Sequence, residues 1–265
     1  MPPSRRVPGN RDHASLRGGR DVTGKHRGPA PEDAASFAVR QLPALRTAVA
    51  ELSWLLSRGY AERSALALVG NRYGLTVRQR KAVSRCAAPE DAAADRRRRR
   101  VEPAALRDEV VHVDGFNAII VGETVLGGGV VLVGQDGACR DLASVHGSYA
   151  RVSKTDEVLG ALGELLAPAR EVVWYLDRPV SNSGRLAGML RERAEAGGWP
   201  WQVELVWDPD RVLAASEAVV ATADALILDA GVRWVDLGRA LVERAGASAW
   251  VVDLAEPPSE PAAPR

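Results

Sequence analysis

The stretch VVHVDGFNAII, residues 110–120, decides the fold. Three valines and a histidine suit a buried strand, and Asp114 ends the run. Gly115, Phe116 and Asn117 then lead into NAIIVGETVLGG, whose apolar residues read as a helix. A carboxylate therefore stands at the mouth of a strand, beside a glycine and an asparagine. The same change of period recurs to the C-terminal side. VVLVG, VVWYLD, QVELVWD, AVVATAD and AWVVDL read as further strands. DEVLGALGELL, NSGRLAGMLRERAEA and DLGRALVERAG read as helices between them. Such alternation predicts an α/β domain over residues 109–255, built on a mostly parallel sheet buried on both faces.

Upstream the pattern differs. Leu45, Val49, Leu52, Leu55 and Leu56 recur at helical spacing, with Gly59 placed to close the helix. Two more helices are expected, separated near Gly70 and Gly74, with Thr76 as N-cap of the second. Residues 34–88 thus read as a small all-helical domain. Arg78, Arg80, Lys81 and Arg85 give it one basic face. Residues 89–108 contain RRRRR, Arg96–Arg100, and read as an Arg-rich linker or a solvated helix face. Contact with a phosphate backbone is the functional alternative. Residues 1–33 and 256–265 are rich in Pro, Gly, Arg, Ser or Glu and poor in apolar residues, so both read as disordered tails, the first of them basic.

The chain has 265 residues and a net charge of +1, so overall charge selects no partner. Lys25, Lys81 and Lys154 are the only lysines. Two distant cysteines, Cys86 and Cys139, imply neither a zinc site nor a disulfide framework, which suggests a cytoplasmic protein. No apolar run approaches the roughly 20 residues of a membrane span.

In an open parallel sheet, ligands bind beyond the carboxyl ends of the strands. Asp114, Asp177, Asp208 and Asp224 all follow strand candidates, and Asp229 lies five residues beyond Asp224. One such aspartate alone is well explained as a helix cap or a turn residue, above all Asp208 in WDPD. Three of them on neighbouring strands would repel one another unless a cation lay between. A hard divalent ion, Mg²⁺ or Mn²⁺, matches oxygen ligands. The loop RPVSNSGR after Asp177 offers Arg178, Ser181, Asn182, Ser183 and Arg185 to an anion, or simply a well-capped helix. The long polar stretch from Gly134 to Glu157 offers Arg140 and His146 to a substrate or leaving group. A structural hydrogen bond for His146 and an ion pair with Arg140 are the plainer readings. LGGGVV, residues 126–131, lacks the Lys-Ser/Thr of a phosphate-binding loop and reads as a helix end and turn.

VDGFN on a first strand, a later strand ending in aspartate, and ATADALILD together resemble the PIN-like nucleases, and within them the NYN branch. The resemblance implies a PIN-like parallel sheet flanked by helices, here preceded by the small helical domain. It also implies Mg²⁺- or Mn²⁺-dependent cleavage of RNA. Asp114, Asp177 and Asp224 then match metal-site aspartates, with Asp229 as a further candidate, and Asn117 matches a small polar residue following the first of them. A further acidic residue of that pattern could be Glu123, Asp156, Glu157 or Glu164. The LDRPVSNSG loop is more elaborate than the usual pattern. From about residue 42 to 255 the chain also resembles the prokaryotic family catalogued as domain of unknown function 434, with an appended PIN-like domain. The segments SRGYAERSALALVGNRYGLTVRQR, VDGFNAII, GACRDLASVHGSY and LDRPVSNSGRL carry that likeness. The expected function is a metal-dependent ribonuclease. The alternatives are an RNA- or nucleotide-binding protein without catalysis that retains the fold, and a small-molecule phosphatase or phosphotransferase. The last lacks the second aspartate expected after Asp114.

Overall fold

The computed structural model describes residues 27–142 and 154–255. Helices α1 (Asp33–Ser36), α2 (Leu42–Leu56), α3 (Glu62–Arg72), α4 (Val77–Cys86) and α5 (Glu90–Arg99) come first. They are followed by β1 (Arg100–Val101), β2 (Val110–Asp114), α6 (Gly115–Leu126), β3 (Val130–Val133), β4 (Cys139–Asp141), α7 (Thr155–Leu166), β5 (Glu171–Asp177) and α8 (Ser183–Gly197). The chain closes with β6 (Trp201–Val206), α9 (Pro209–Ala214), β7 (Val219–Ala221), α10 (Ala225–Asp229), β8 (Trp234–Val235), α11 (Leu237–Ala245) and β9 (Trp250–Asp253).

Among the described residues the strands form two sheets. The larger has the order β1-β8-β7-β2-β5-β6 and is parallel throughout. From β2 the chain moves outward through β5 to β6, then returns to β7 on the other side of β2 and moves out to β8. The direction of winding reverses between β2 and β7, which opens a crevice at their carboxyl ends. One face of this sheet is covered by α6, α7, α8 and α11, whose Ile119, Leu162, Leu190 and Leu241 pack with Val111, Val113 and Trp174. The other face carries α9 and α10, where Leu213, Ile227 and Leu228 pack on Val220 and Trp234.

The strands VVLVG and AWVVDL do not join that sheet. They form β3 and β9, which pair in parallel with each other, while β4 pairs antiparallel to β3. Side chains along a strand alternate between faces, and here the two faces serve two cores. Val130, Leu132, Val252 and Leu254 pack with Leu45, Val49, Leu52 and Val83 of the helical region. Val131 and Val133 pack into the core of the large sheet. All four residues of β3 are buried for this reason, and the sequence shows an unbroken apolar run.

The helical region follows its local signals. Thr76 Oγ1 accepts from Gln79 N, and Gln79 Oε1 accepts from Thr76 N, which completes a capping box on α4. Gly59 ends the turn after α2 at φ +78°. The expected basic face of α4, however, is turned to structural work. Arg78 pairs with the buried Asp33, Arg80 donates to Leu75 O and Asn71 Oδ1, Lys81 donates to Leu142 O, and Arg85 donates to Asp141 O. Residues 89–108 are likewise not a bare linker. Helix α5 packs on the α/β core through Arg96, which is only 4% exposed and is paired with Asp136 and Asp229. Arg99 donates to Val232 O, while Arg97 and Arg98 are exposed on α5, as the reading of a solvated helix face has it. The expected N-terminal tail of 1–33 is also shorter than read, since Arg27 pairs with buried Glu123 and Asp33 is fully buried. Among the described residues no helix is long and apolar enough to cross a membrane.

Candidate active site

The crevice between β2 and β7 is where the acidic side chains gather. Asp114 is the last residue of β2 and the N-cap of α6, its Oδ1 accepting from Asn117 N at 3.3 Å. No turn separates strand from helix, because Gly115 fits against β5. A Cβ at that position would lie 2.5 Å from Leu176 Cδ2 and 2.9 Å from Tyr175 O. The other oxygen, Asp114 Oδ2, accepts from Thr222 Oγ1 at 2.9 Å. Thr222 Oγ1 in turn accepts from Asp224 N at 3.0 Å, and Asn117 Oδ1 accepts from Ala223 N at 3.0 Å. The end of β7 is thus stitched to the end of β2. Asp224 caps α10 through Leu226 N, which orients its carboxylate at the same edge.

Burial pushes the Asp114 carboxyl up to about 7. Thr222 and Asn117 oppose that rise, and the negative charges of Asp224 and Asp210 add to it. Asp177, at the end of β5, is also raised, by burial and then by Asp208, and its Oδ1 is buried without a hydrogen-bond partner. Asp210 is raised by burial and then by Asp224, Asp208 and Asp177. Four elements, β2, β5, α9 and the start of α10, therefore bring Asp114, Asp177, Asp210 and Asp224 into one electrostatic neighbourhood. They line a cleft of about 800 Å³, whose lining also includes Arg85 of α4 and Pro89 at the start of α5.

Asp210 is the acidic member that sequence reasoning missed. It sits in the first turn of α9, directly after Pro209, where an acidic residue is an ordinary helix-start feature. Asp208 is the N-cap of α9, accepting from Arg211 N, as its plainer reading held. The candidates for the further acid lie elsewhere. Glu123 is buried with Arg27 and Thr155, Asp156 pairs with Arg193, Glu157 with Lys154 and Glu164 with Arg244. Thr222 was also missed, since one hydroxyl in a strand end has no sequence signature.

The other expected site residues divide. Asp229 lines the cleft but is ion-paired with Arg96. Arg140 lines it too, yet it is buried: it grips Asp136 with two nitrogens at 2.8 and 2.6 Å and donates from Nε to Ala223 O at 2.8 Å. It holds the site's backbone instead of offering itself to a ligand. Ser183 is buried and donates to Asp177 O and Val180 O, closing the loop after β5. Asn182 takes a left-handed φ of +73° ahead of α8. Ser181, Arg178 and Arg185 are exposed on that loop. His146 lies outside the described residues.

The carboxylates of Asp114, Asp177, Asp210 and Asp224 and the amide of Asn117 line the cleft, and oxygen ligands are the chemistry a hard divalent cation takes. The unpartnered Asp177 Oδ1 and the mutual repulsion of four carboxylates leave room for positive charge. Among the described residues, no group of three or more His, Cys, Asp or Glu side chains forms a ready-made metal cage.

Comparison with known proteins gives a family without an assigned activity. Residues 44–99 match the family described as "Protein of unknown function (DUF434)". The chain is 30% identical over 179 residues to "Uncharacterized protein MJ0935" of Methanocaldococcus jannaschii, an alignment covering 67% of this chain and 86% of the archaeal protein. No solved structure matches. Residues 103–240, which hold β2, β5, α9, β7 and the four carboxylates, match the family described as "Domain of unknown function (DUF5616)", and the chain belongs to that family.

Proposed function

We propose that the protein is a metal-dependent ribonuclease of PIN-like type that hydrolyses RNA phosphodiester bonds. The observation that carries the reading is the gathering of Asp114, Asp177, Asp210 and Asp224 at the switch point of a parallel sheet. Carboxylates so placed fit Mg²⁺ or Mn²⁺. Asp114, Asp177 and Asp224 would hold the ion, with Asp210 at the rim. The ion, when bound, would supply Lewis-acid charge to a phosphoryl oxygen. The chain's own groups do the rest. Thr222 and Asn117 fix Asp114 and the Asp224 turn. Asp210, raised by burial and then by its acidic neighbours, would accept the proton of an attacking water. Arg178, exposed beside Asp177, would steady the phosphate.

A second reading, an RNA- or nucleotide-binding protein without catalysis, is favoured by the lack of a preformed metal cage among the described residues. The experiment that separates the two is cleavage of a labelled RNA pool, with and without Mn²⁺, by the wild type and Asp114→Asn. Metal-dependent cutting by the wild type, lost in the variant, is expected. RNA bound but cut by neither protein would leave only the binding function. RNA neither bound nor cut would sink both readings.

A further inference from the structure

The loop that brings Asp210 into the cleft also puts a tryptophan into solvent. Trp207 follows β6 directly and is 72% exposed. It stands just before Asp208, the N-cap of α9. A residue there commonly staples onto the fourth residue of the helix, which is Val212. Both side chains are exposed, Val212 at 38%, so no staple hides the indole. The neighbouring Trp174, Trp201 and Trp234 are all buried. Trp207 is thus an open aromatic face beside Arg178, whose guanidinium lies 5.9 Å from its ring centroid. Arg178 itself is fixed to the same strand end, donating from its backbone N to Val206 O at 2.7 Å.

The register places this pair. Val206 is the partner of Asp177 across β5 and β6, so Trp207 lies one strand over and one residue further out. That is roughly 6 Å from Asp177 between backbones. We infer that Trp207 and Arg178 form a nucleobase-stacking platform beside the acidic site, selecting single-stranded RNA. The inference rests on the ribonuclease reading and extends it. A base stacks on the open indole face, and the adjoining phosphate meets Arg178. That phosphodiester is thereby presented to the cleft, where Asp114, Asp177 and Asp224 would hold the cation. A base within a duplex is already stacked on both faces and cannot use the platform, whereas every unpaired base can. Stacking on an aromatic side chain favours no one base strongly, so discrimination is by strandedness rather than sequence.

The test uses the full chain and a fluorescein-labelled 12-nucleotide RNA, single-stranded or annealed to its complement. Anisotropy in EDTA measures binding without cutting, and cleavage in Mn²⁺ measures KM and kcat. The wild type binds the single strand more tightly than the duplex. Trp207→Ala weakens single-strand binding by about 5- to 100-fold, raises KM with little change in kcat, and abolishes the strand preference. Trp207→Phe keeps most of the affinity, which a merely structural role for the indole would not predict. Equal binding of both RNAs by the wild type, or a Trp207→Ala variant that binds as tightly as wild type, overturns the platform. If the wild type still cleaves in Mn²⁺ under either of those outcomes, the ribonuclease reading stands without it. If the wild type neither binds nor cleaves RNA, both fall.

Discussion

Asp114 carries a cost that its neighbours do not remove. Its half-buried carboxyl is raised to about 7, well above the ordinary aspartate value, chiefly because burial disfavours the charge. A raised carboxyl binds its proton more tightly when folded than when unfolded. Its ionisation therefore erodes stability as pH climbs from about 4 toward 7, and the loss is complete above that range. Asp114→Asn should raise Tm by a few degrees at pH 8, and the gain should vanish near pH 4. Thermal melts of both proteins across that range check this, and a variant less stable at pH 8 would contradict it. A site that sacrifices stability to keep a charge is the usual mark of a functional residue. Asp114, Asp177 and Asp224 were legible in sequence because each closes an apolar strand run. Asp210 was not, because an acid in a first helical turn is ordinary, and its proximity to Asp177 depends on a loop path that local pattern does not encode.

Helices α5 and α10 are joined through the buried guanidinium of Arg96, which reaches the exposed Asp229. Asp136 accepts from Arg96 Nη1 at 2.8 Å and from two nitrogens of Arg140, while Arg96 also holds Asp229 at the end of α10. Burial would push the Asp136 carboxyl up, but the guanidinium groups of Arg140 and Arg96 outweigh it and hold it well below the usual range. Removing the carboxylate strands two buried cations. Asp136→Ala should cost about 3–5 kcal/mol, read as a lowered urea midpoint. Because the group is depressed, its contribution is present above pH 4 and is lost as pH falls below. The difference between wild type and variant should shrink in acid. Little of this was legible. The roles of Arg96 and Arg99 were hidden because their acceptors Asp136, Asp229 and Val232 O lie 40 to 133 residues away in sequence, whereas Arg97 and Arg98 are exposed. The sheet assignment of β3 and β9 failed for a similar reason. An unbroken apolar strand announces two buried faces, but not that each face belongs to a different core.

At the scale of the molecule, the small sheet is a wall shared by two hydrophobic cores. Among the described residues, Val130, Leu132, Val252 and Leu254 are covered mainly by the helical region, and Asp136 is satisfied partly from α5. A fragment beginning at residue 103 keeps Asp114, Asp177, Asp210 and Asp224 but bares that face and loses Arg96. It should be recovered mainly as aggregate, and a fragment that instead melts cooperatively as a monomer would show that the wall is dispensable. The larger outline was legible, since the period changes from helical to alternating after residue 109 and the structure follows it.

The contribution of β9 to that wall has a consequence for the order in which the chain is made. Leu45 and Leu52 leave the ribosome early, yet the surface that covers them includes Val252 and Leu254, and Arg46 donates to Asp253 O. These helices must therefore wait, partly uncovered, until β9, far along the chain, has been made. Translation speed and the availability of chaperones then bear on the yield of this protein more than on that of one whose N-terminal region closes by itself.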